Sequence, residues 1–145
     1  MNIGIIPCSK EKIWDIEPNV GPVQAKRAYR SAFHRYAAAY AQKYCDHTLI
    51  FSAKYGLMEP DFLIEGTYDV TFSREEDPCI SLDLIRKQAE KYADATVITV
   101  LCPQSYAIRI EQAFSSLPPK AHFPLRGIGG FGHMHRYLFL KSQII

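Results

Sequence analysis

Three short apolar runs constrain the fold of this chain more than any other feature. They cover residues 2–6, 47–52 and 96–101, and each is rich in the β-branched and large apolar side chains of buried strands. The segments between them are longer, and their apolar side chains recur three and four positions apart, which is typical of helices. Strands that alternate with helices favour a parallel sheet with helices on both faces.

The complete pattern predicts a single α/β domain over residues 1–145. Its expected architecture is a three-layer sandwich, with a mainly parallel sheet of about four strands and helices on both faces. The fourth strand is a short one near residues 121–123. Helices are predicted over residues 24–44, 81–93 with Ser81 as N-cap, 104–116, and a last segment ending near residue 141.

The composition is that of an ordinary soluble protein, with 48% hydrophobic and 22% charged residues. The net charge of +2 neither requires nor excludes a nucleic-acid partner, because local clustering matters more than the total. No apolar run is long enough for a membrane span, and no secretory signal opens the chain. We therefore expect a cytoplasmic protein without a membrane partner. The sequence does not indicate an oligomeric state.

Four cysteines are present, but no two form a C-x-x-C pair, so a zinc ribbon or a thioredoxin-type motif is not expected. In a cytoplasmic protein these thiols would be reduced. His133 and His135 stand two positions apart and would not share a helix face, which argues against a zinc pair. The sequence thus predicts neither a metal site nor a cofactor.

Polar residues follow the first two strands directly. Ligands of open α/β sheets bind beyond the carboxyl ends of the strands. Residues that follow different parallel strands should therefore meet in one cleft, and the glycine in this set would allow a turn that a β-carbon hinders. The predicted ligand-binding residues of these strand ends are Ser9, Lys10, Ser52, Lys54, Tyr55 and Gly56.

A glycine-rich segment precedes the last predicted helix, and Arg126, Gly127 and Gly129 begin it. Backbone N–H groups at a helix N-terminus attract anions, and an arginine adds a fork that suits phosphate. These three residues are therefore predicted to complete the cleft. The alternative is a flexible turn before a helix.

Four residues are candidates for a catalytic role. Cys8 follows a strand and would be a nucleophile if its pKa were lowered, although such a cysteine is more often a small buried hydrophobe. Asp61 and Glu65 lie with Asp69 in a long loop and offer a carboxylate that could polarise water for N-glycosidic hydrolysis. His133 lies near Arg126 and is a candidate acid or base.

Four basic residues crowd the first turns of the helix predicted at residues 24–44. They are Lys26, Arg27, Arg30 and Arg35. A solvated helix face is one interpretation, and a patch that faces phosphates is the other.

Three motifs resemble an uncharacterised bacterial and phage family of small α/β domains. They are Pro7-Cys8-Ser9-Lys10 with Lys12, Tyr29-x-Ser31-x-Phe33, and the run from Ser52 through Leu57 to Pro60. The likeness covers most of the chain, and Ser-Ala-Lys-Tyr-Gly-Leu is its most specific part. It implies the fold and leaves the activity open.

Two further resemblances imply a nucleic-acid connection. Tyr55-Gly56, Pro60-Asp61, Ile64 and Tyr68 resemble a run in the peroxide stress protein family, whose members are associated with DNA binding. Gly66-Thr67 depart from that family's pattern, which has a proline there. The strand order and the strand-end motifs are similar to the uracil-DNA glycosylase type of fold.

The leading functional expectation is a protein that binds a nucleotide, a nucleoside or a base in a nucleic acid. The chemistry that would fit is that of an N-glycosidase-like hydrolase or transferase. The alternative is a non-enzymatic DNA-binding module related to peroxide stress proteins. A phage or host interaction protein with a vestigial pocket is a third possibility.

Overall fold

A computed structural model describes residues 1–143 of the chain. The strands are β1 (Asn2–Pro7), β2 (Val23–Gln24), β3 (His47–Ser52), β4 (Gly56–Met58), β5 (Leu63–Ile64), β6 (Val97–Val100) and β7 (Lys120–His122). The α-helices are α1 (Ala25–Ala28), α2 (Ala32–Tyr44), α3 (Leu82–Ala89), α4 (Gln104–Phe114) and α5 (Phe131–Ser142). Single 3-10 turns cover Ile13–Asp15 and Glu90–Tyr92.

The main sheet has five strands in the order β4-β3-β1-β6-β7. β1 pairs in parallel with β3 and β6, and β6 pairs in parallel with β7, whereas β4 runs antiparallel to β3. The α/β class and the mainly parallel sheet predicted from the sequence are therefore confirmed. β2 and β5 form a separate two-stranded antiparallel ribbon.

The expected count of about four strands is one too low for the main sheet, because β4 lies in a segment predicted to be a loop. Gly56 opens β4 with φ +75°, a backbone conformation that favours glycine and turns the chain back along β3. Gln88 of α3 then holds both sides of this turn. Its Nε2 donates to the Tyr55 carbonyl at 2.9 Å, and its Oε1 accepts from the Leu57 N–H at 2.8 Å.

The single helix predicted over residues 24–44 is wrong, because the chain leaves helical geometry at Tyr29–Ser31. The Ser31 hydroxyl caps α2 by accepting the His34 N–H at 3.1 Å, so a new helix begins there. Tyr29 forms an isolated bridge with Lys12, and the Arg30 N–H donates to the Glu11 carbonyl at 2.9 Å. This break ties the segment after β1 to the start of α2.

Buried side chains form two clusters, and adjacent residues of a strand belong to different ones. Ile5 packs in a cluster with Ile85 of α3 and Ile110 of α4. Its neighbour Ile6 packs in the other, with Ala37 of α2 and Leu138 of α5. This alternation follows from the geometry of a strand, whose successive side chains point to opposite faces of the sheet.

The strand order creates one crevice at the carboxyl edge of the sheet. From β1 the chain continues to β3 on one side, and from β6 it continues to β7 on the other side. β1 and β6 are neighbours, so the connections that leave them diverge and leave a gap between them. Open α/β sheets bind ligands at such a point. No helix among residues 1–143 is long and apolar enough to cross a membrane.

Candidate functional site

A cleft of about 420 Å³ occupies this crevice between the ends of β1 and β6. The segment after β1, the loop 68–74, the start of α4 and the start of α5 supply its walls. The chain therefore brings together residues as far apart in sequence as Pro7 and Phe131. The side chains on which the chemistry depends are Cys8, Lys10, Lys12, Asp69, Tyr106 and Phe131.

Cys8 is the first residue after β1, and its thiol faces the cleft. Its backbone N–H donates to the Phe51 carbonyl at 3.1 Å, which extends the pairing of β1 with β3. Its Sγ lies 4.0 Å from the hydroxyl of Tyr106, and that hydroxyl donates to Thr71 at 3.1 Å. Burial raises the pKa of the Cys8 thiol. A protonated thiol is a weak nucleophile, so the geometry favours a contact role for Cys8 over nucleophilic catalysis.

Lys12 is a buried cation that the sequence did not distinguish from its neighbour Lys10. Its side chain is 3% exposed, its Nζ donates to the Lys10 carbonyl at 3.1 Å, and it lies 4.6 Å from the ring centroid of Tyr68. Burial lowers the pKa of its ammonium group, and the negative charge of the nearby Asp69 carboxylate opposes this shift. Lys10 also lines the cleft but is exposed. The Lys12–Tyr29 bridge turns Lys12 inward, and no local sequence pattern signals that contact.

Replacing Lys12 with methionine is expected to raise the melting temperature at pH 7, because it removes a charge from a poorly solvated position. The folded-state pKa of Lys12 lies below its unfolded value, so the destabilisation is full below the folded pKa. It fades as the pH rises toward about 10.4, where the unfolded lysine also loses its proton. Thermal unfolding at pH 7 and at higher pH measures the effect, and exposed Lys10→Met is the control. A lower melting temperature for Lys12→Met at pH 7 would contradict this expectation.

The hydroxyl groups of Ser52, Tyr68 and Tyr29 form a chain behind the cleft wall. Ser52 is fully buried, and its Oγ accepts the N–H groups of Lys54 and Tyr55 at 3.1 and 3.2 Å. The Tyr68 hydroxyl lies 2.8 Å from Ser52 Oγ and also bonds to the hydroxyl of Tyr29. Burial raises the pKa of both phenols, which therefore stay protonated at neutral pH. Ser52 shapes the turn after β3 and supports Tyr68, which lines the cleft.

Lys54, Tyr55 and Gly56 lie beside the cleft and do not line it. Lys54 is exposed, and its Nζ is 5.4 Å from the ring centroid of Tyr68. The ring of Tyr55 packs edge-on against Tyr68 with 5.4 Å between the centroids. The structure thus places these predicted ligand residues behind Tyr68, while Ser9 and Lys10 are in the cleft itself.

Asp69 is the carboxylate that the long loop with Asp61 and Glu65 supplies to the cleft wall. Its Oδ1 accepts from Arg74 at 2.9 Å, and Arg74 Nε also donates to Asp77 at 2.9 Å. The hydrogen bond from Arg74 lowers the pKa of Asp69, and the charges of Lys10 and Lys12 act in the same direction. Asp69 is therefore ionised at neutral pH.

Asp61 and Glu65, the two carboxylates predicted to be catalytic, are exposed and do not line the cleft. The reason is that β5 lies between them and pairs with β2. In addition, the carbonyls of Pro60 and Phe62 accept the N–H groups of Lys26 and Ala25 at 2.9 and 2.8 Å. The first half of the long loop is thereby held against α1, and only its second half reaches the cleft.

The structure does not bring Arg126 to the cleft. Its guanidinium forms two hydrogen bonds with Glu111 of α4, at 2.9 and 2.8 Å, and lies 3.8 Å from the ring centroid of Phe123. Gly127 and Gly129 line a separate cavity of about 140 Å³ with it. Phe131 is the residue of this region that lines the cleft, whereas His133 is exposed and does not.

Among residues 1–143, no group of three or more His, Cys, Asp or Glu side chains is placed to hold a metal ion. The cleft instead combines three cations, Lys10, Lys12 and Arg74, with hydroxyl groups and aromatic rings. Such a set can hold an anion and a flat ring at the same time.

The fold and the cleft define a small α/β domain with a candidate ligand site at its strand switch point. The chain belongs to the family described as a family of unknown function (DUF6884), which matches residues 3–139. It is similar to the uncharacterized protein YfjM of Bacillus subtilis (strain 168), with 36% identity over 132 residues, 90% of this chain and 87% of that protein. The expected membership of an uncharacterised family is confirmed. The likenesses to the peroxide stress and uracil-DNA glycosylase types stay hypotheses.

Proposed function

We propose that the cleft binds a nucleotide, a nucleoside or a nucleobase. The observation that carries this proposal is the meeting of aromatic rings with the buried cation Lys12 at the switch point of the sheet. Nucleotide-binding α/β domains bind their ligands at the corresponding place. The volume of about 420 Å³ is within the range of small-molecule sites.

Two aromatic walls support a flat ligand. Tyr106 is half-buried, and its ring packs edge-on against Phe72 with 4.8 Å between the centroids. Phe131 stacks on Phe33 at 4.9 Å, yet it remains 58% exposed beside the cleft. An exposed ring that is already held on one side offers its free surface for stacking on a base.

The polar groups of the cleft suit the rest of a nucleotide. Lys10 lies at the wall where a phosphate would meet solvent, and Lys12 lies deeper, whereas Arg74 is already paired with Asp69 and Asp77. Ser31 and Ser73 add hydroxyl groups that donate or accept hydrogen bonds, as a sugar or a base edge requires. This combination favours nucleotides over purely apolar ligands.

We propose in addition that the sheet is the middle layer of three. The two side-chain clusters on its faces contain α3 and α4 in one and α2 and α5 in the other, which supports this arrangement. The same arrangement would explain why the polar residues of the cleft come from the sheet edge, since helices would cover both faces of the sheet.

We also propose a cytoplasmic location. The four cysteines are unpaired thiols, which supports a reducing compartment.

The reaction that we propose for this site is hydrolysis of an N-glycosidic bond. Asp69 would take a proton from a water molecule as the water oxygen forms a bond to C1′ of the sugar. The C1′–N bond breaks, its electron pair goes to the base nitrogen, and that nitrogen takes up the proton that Asp69 accepted. The products are then the free base and a sugar with a hydroxyl group at C1′, and Asp69 is again a carboxylate. The ionised state of Asp69 supports this role, because a carboxylate must be deprotonated to act as a base.

A panel of nucleobases, nucleosides and nucleoside monophosphates tests the binding proposal by thermal shift. At least one member is expected to raise the melting temperature, since a ligand above its dissociation constant stabilises the folded state. Lys12→Met should abolish that shift although the variant is itself folded. Lys87→Met, at an exposed position of α3, is the matched control and should retain the shift. No stabilisation by any member, or an equal shift in Lys12→Met, would overturn the proposal.

A further inference from the structure

A second concave surface lies next to the cleft, and we name it the basic groove. It has a volume of about 660 Å³ and lies between the segment 13–24 and helices α1 and α2. Its cationic side chains are Lys26, Arg27, Arg30 and Arg35. We infer that the basic groove holds the phosphate backbone of a single-stranded nucleic acid whose base enters the cleft, an inference that rests on the proposed function.

The charge of the basic groove is strongly one-sided. All four cations are exposed, and Glu17 is the acidic residue among the groove's lining residues. The salt bridges found within residues 1–143 do not involve any of the four. In contrast, Arg74 and Arg126 are each paired with a carboxylate. Cations without a carboxylate partner, gathered in one groove, attract a polyanion. A cation that is paired with a carboxylate has its charge neutralised within the fold.

The basic groove and the cleft meet at the break between α1 and α2. Arg30 lines the groove, and the next residue, Ser31, lines the cleft. The Arg30 N–H donates to the Glu11 carbonyl at 2.9 Å and approaches the Ser9 hydroxyl at 3.3 Å, and both of these residues line the cleft. One continuous ligand can therefore cross from one surface to the other.

A single strand fits this arrangement better than a duplex. A base can enter a cleft only after it leaves its stack and its partner, and a single strand needs no such separation. The groove also offers apolar surface beside its cations, because Val20 and Leu63 of its lining are 43% and 51% exposed. Sites for single strands typically combine a basic track with surfaces on which bases stack. The two hypotheses that the sequence left as alternatives thus become two parts of one site.

The test uses a fluorescein-labelled single strand of mixed sequence, about 12 nucleotides long, as DNA and as RNA. Wild-type protein is expected to bind at least one of them, and anisotropy should show affinity that falls with salt. Four neutralised phosphates predict a log–log slope of about −3. Changing Lys26, Arg27, Arg30 and Arg35 together to alanine should weaken binding at least tenfold at low salt and reduce the slope toward zero.

The matched control removes the same number of cations elsewhere. Lys87, Lys91, Lys120 and Arg136 are exposed and line neither the groove nor the cleft. Changing these four to alanine should leave binding within about twofold and the salt slope almost unchanged. An equal loss of oligonucleotide affinity in the two quadruple variants would mean that the attraction is non-specific, and it would overturn the inference. So would absence of binding by the wild type, or tighter binding of the corresponding duplex.

The failure of this inference differs from a failure of the proposed function. The groove variant should keep the thermal shift given by a nucleoside or nucleoside monophosphate, because the cleft is unchanged. If that shift persists and the oligonucleotide does not bind, only the basic groove is disproved. If the oligonucleotide binds equally well to Lys12→Met, no base enters the cleft, and the connection between the two surfaces is refuted.

Discussion

Replacing Gly56 with alanine is expected to lower the free energy of unfolding by about 3 kcal/mol. Part of this loss, about 1–2 kcal/mol, comes from the left-handed backbone at φ +75°. The remainder comes from a steric clash, because a β-carbon at this position would lie 2.2 Å from Gln88 Oε1. Gln88 would have to move and give up its bonds to Tyr55 and Leu57, at about 1–3 kcal/mol for groups left unsatisfied. Urea unfolding measures the change.

Two other glycines separate these causes. Gly127 has φ +78° with open space around its β-position, so Gly127→Ala should show only the backbone term of about 1–2 kcal/mol. Gly66 has neither a positive φ nor a close neighbour, and Gly66→Ala should have almost no effect. If Gly56→Ala and Gly127→Ala lost the same stability, the contact with Gln88 would contribute nothing, and the explanation for β4 would be incomplete.

Asp69→Asn is expected to reduce base release by about 100-fold or more, the usual contribution of a general base. The amide keeps the shape of the side chain but does not accept a proton at neutral pH. Release of free base from nucleosides, nucleoside monophosphates and a single-stranded oligonucleotide is measured by chromatography. For the wild type the pKa of Asp69 lies below its usual range, so activity should persist down to about pH 4.

The controls for this prediction are the carboxylates that lie away from the cleft. Asp61→Asn and Glu65→Gln change the same functional group at exposed positions and should leave base release unchanged. The melting temperature of Asp69→Asn should be close to that of the wild type, because the salt bridge between Asp69 and Arg74 lies at the surface. Undiminished base release by Asp69→Asn would remove this residue from the mechanism, and an inactive wild type would remove the reaction.

Four of the seven described strands and most helices were predictable because local sequence determines them. β3 covers the same residues, 47–52, as the predicted strand. Ser81 does cap α3, with its hydroxyl accepting the Leu84 N–H at 3.2 Å. A β-branched run and a capping residue act over a few positions, so their effects appear in the sequence.

The site was less predictable because its geometry depends on distant partners. The sequence predicts Arg126 as a residue that binds an anion, but Glu111 on α4, 15 positions away, forms two hydrogen bonds with its guanidinium. Asp61 and Asp69 belong to the same loop, and only the pairing of β5 with β2 decides which of them faces the cleft. The burial of Lys12 likewise follows from a bridge to Tyr29. Pairings of this kind are tertiary, and local propensity does not specify them.

The hydroxyl chain from Ser52 to Tyr29 contains one proton whose direction its own hydrogen bonds leave open. Ser52 Oγ accepts two N–H groups, so both its lone pairs are used and it must donate to Tyr68. Tyr68 and Tyr29 have one hydroxyl proton each, but the hydrogen bond between them uses only one of the two. The other proton is left for a different acceptor. When Tyr29 donates to Tyr68, the Tyr68 proton is available to another acceptor. When Tyr68 donates to Tyr29, the Tyr68 oxygen can accept a further hydrogen bond instead. Tyr68 can therefore act as a donor or as an acceptor, whereas Lys12 beside it, while protonated, can only donate.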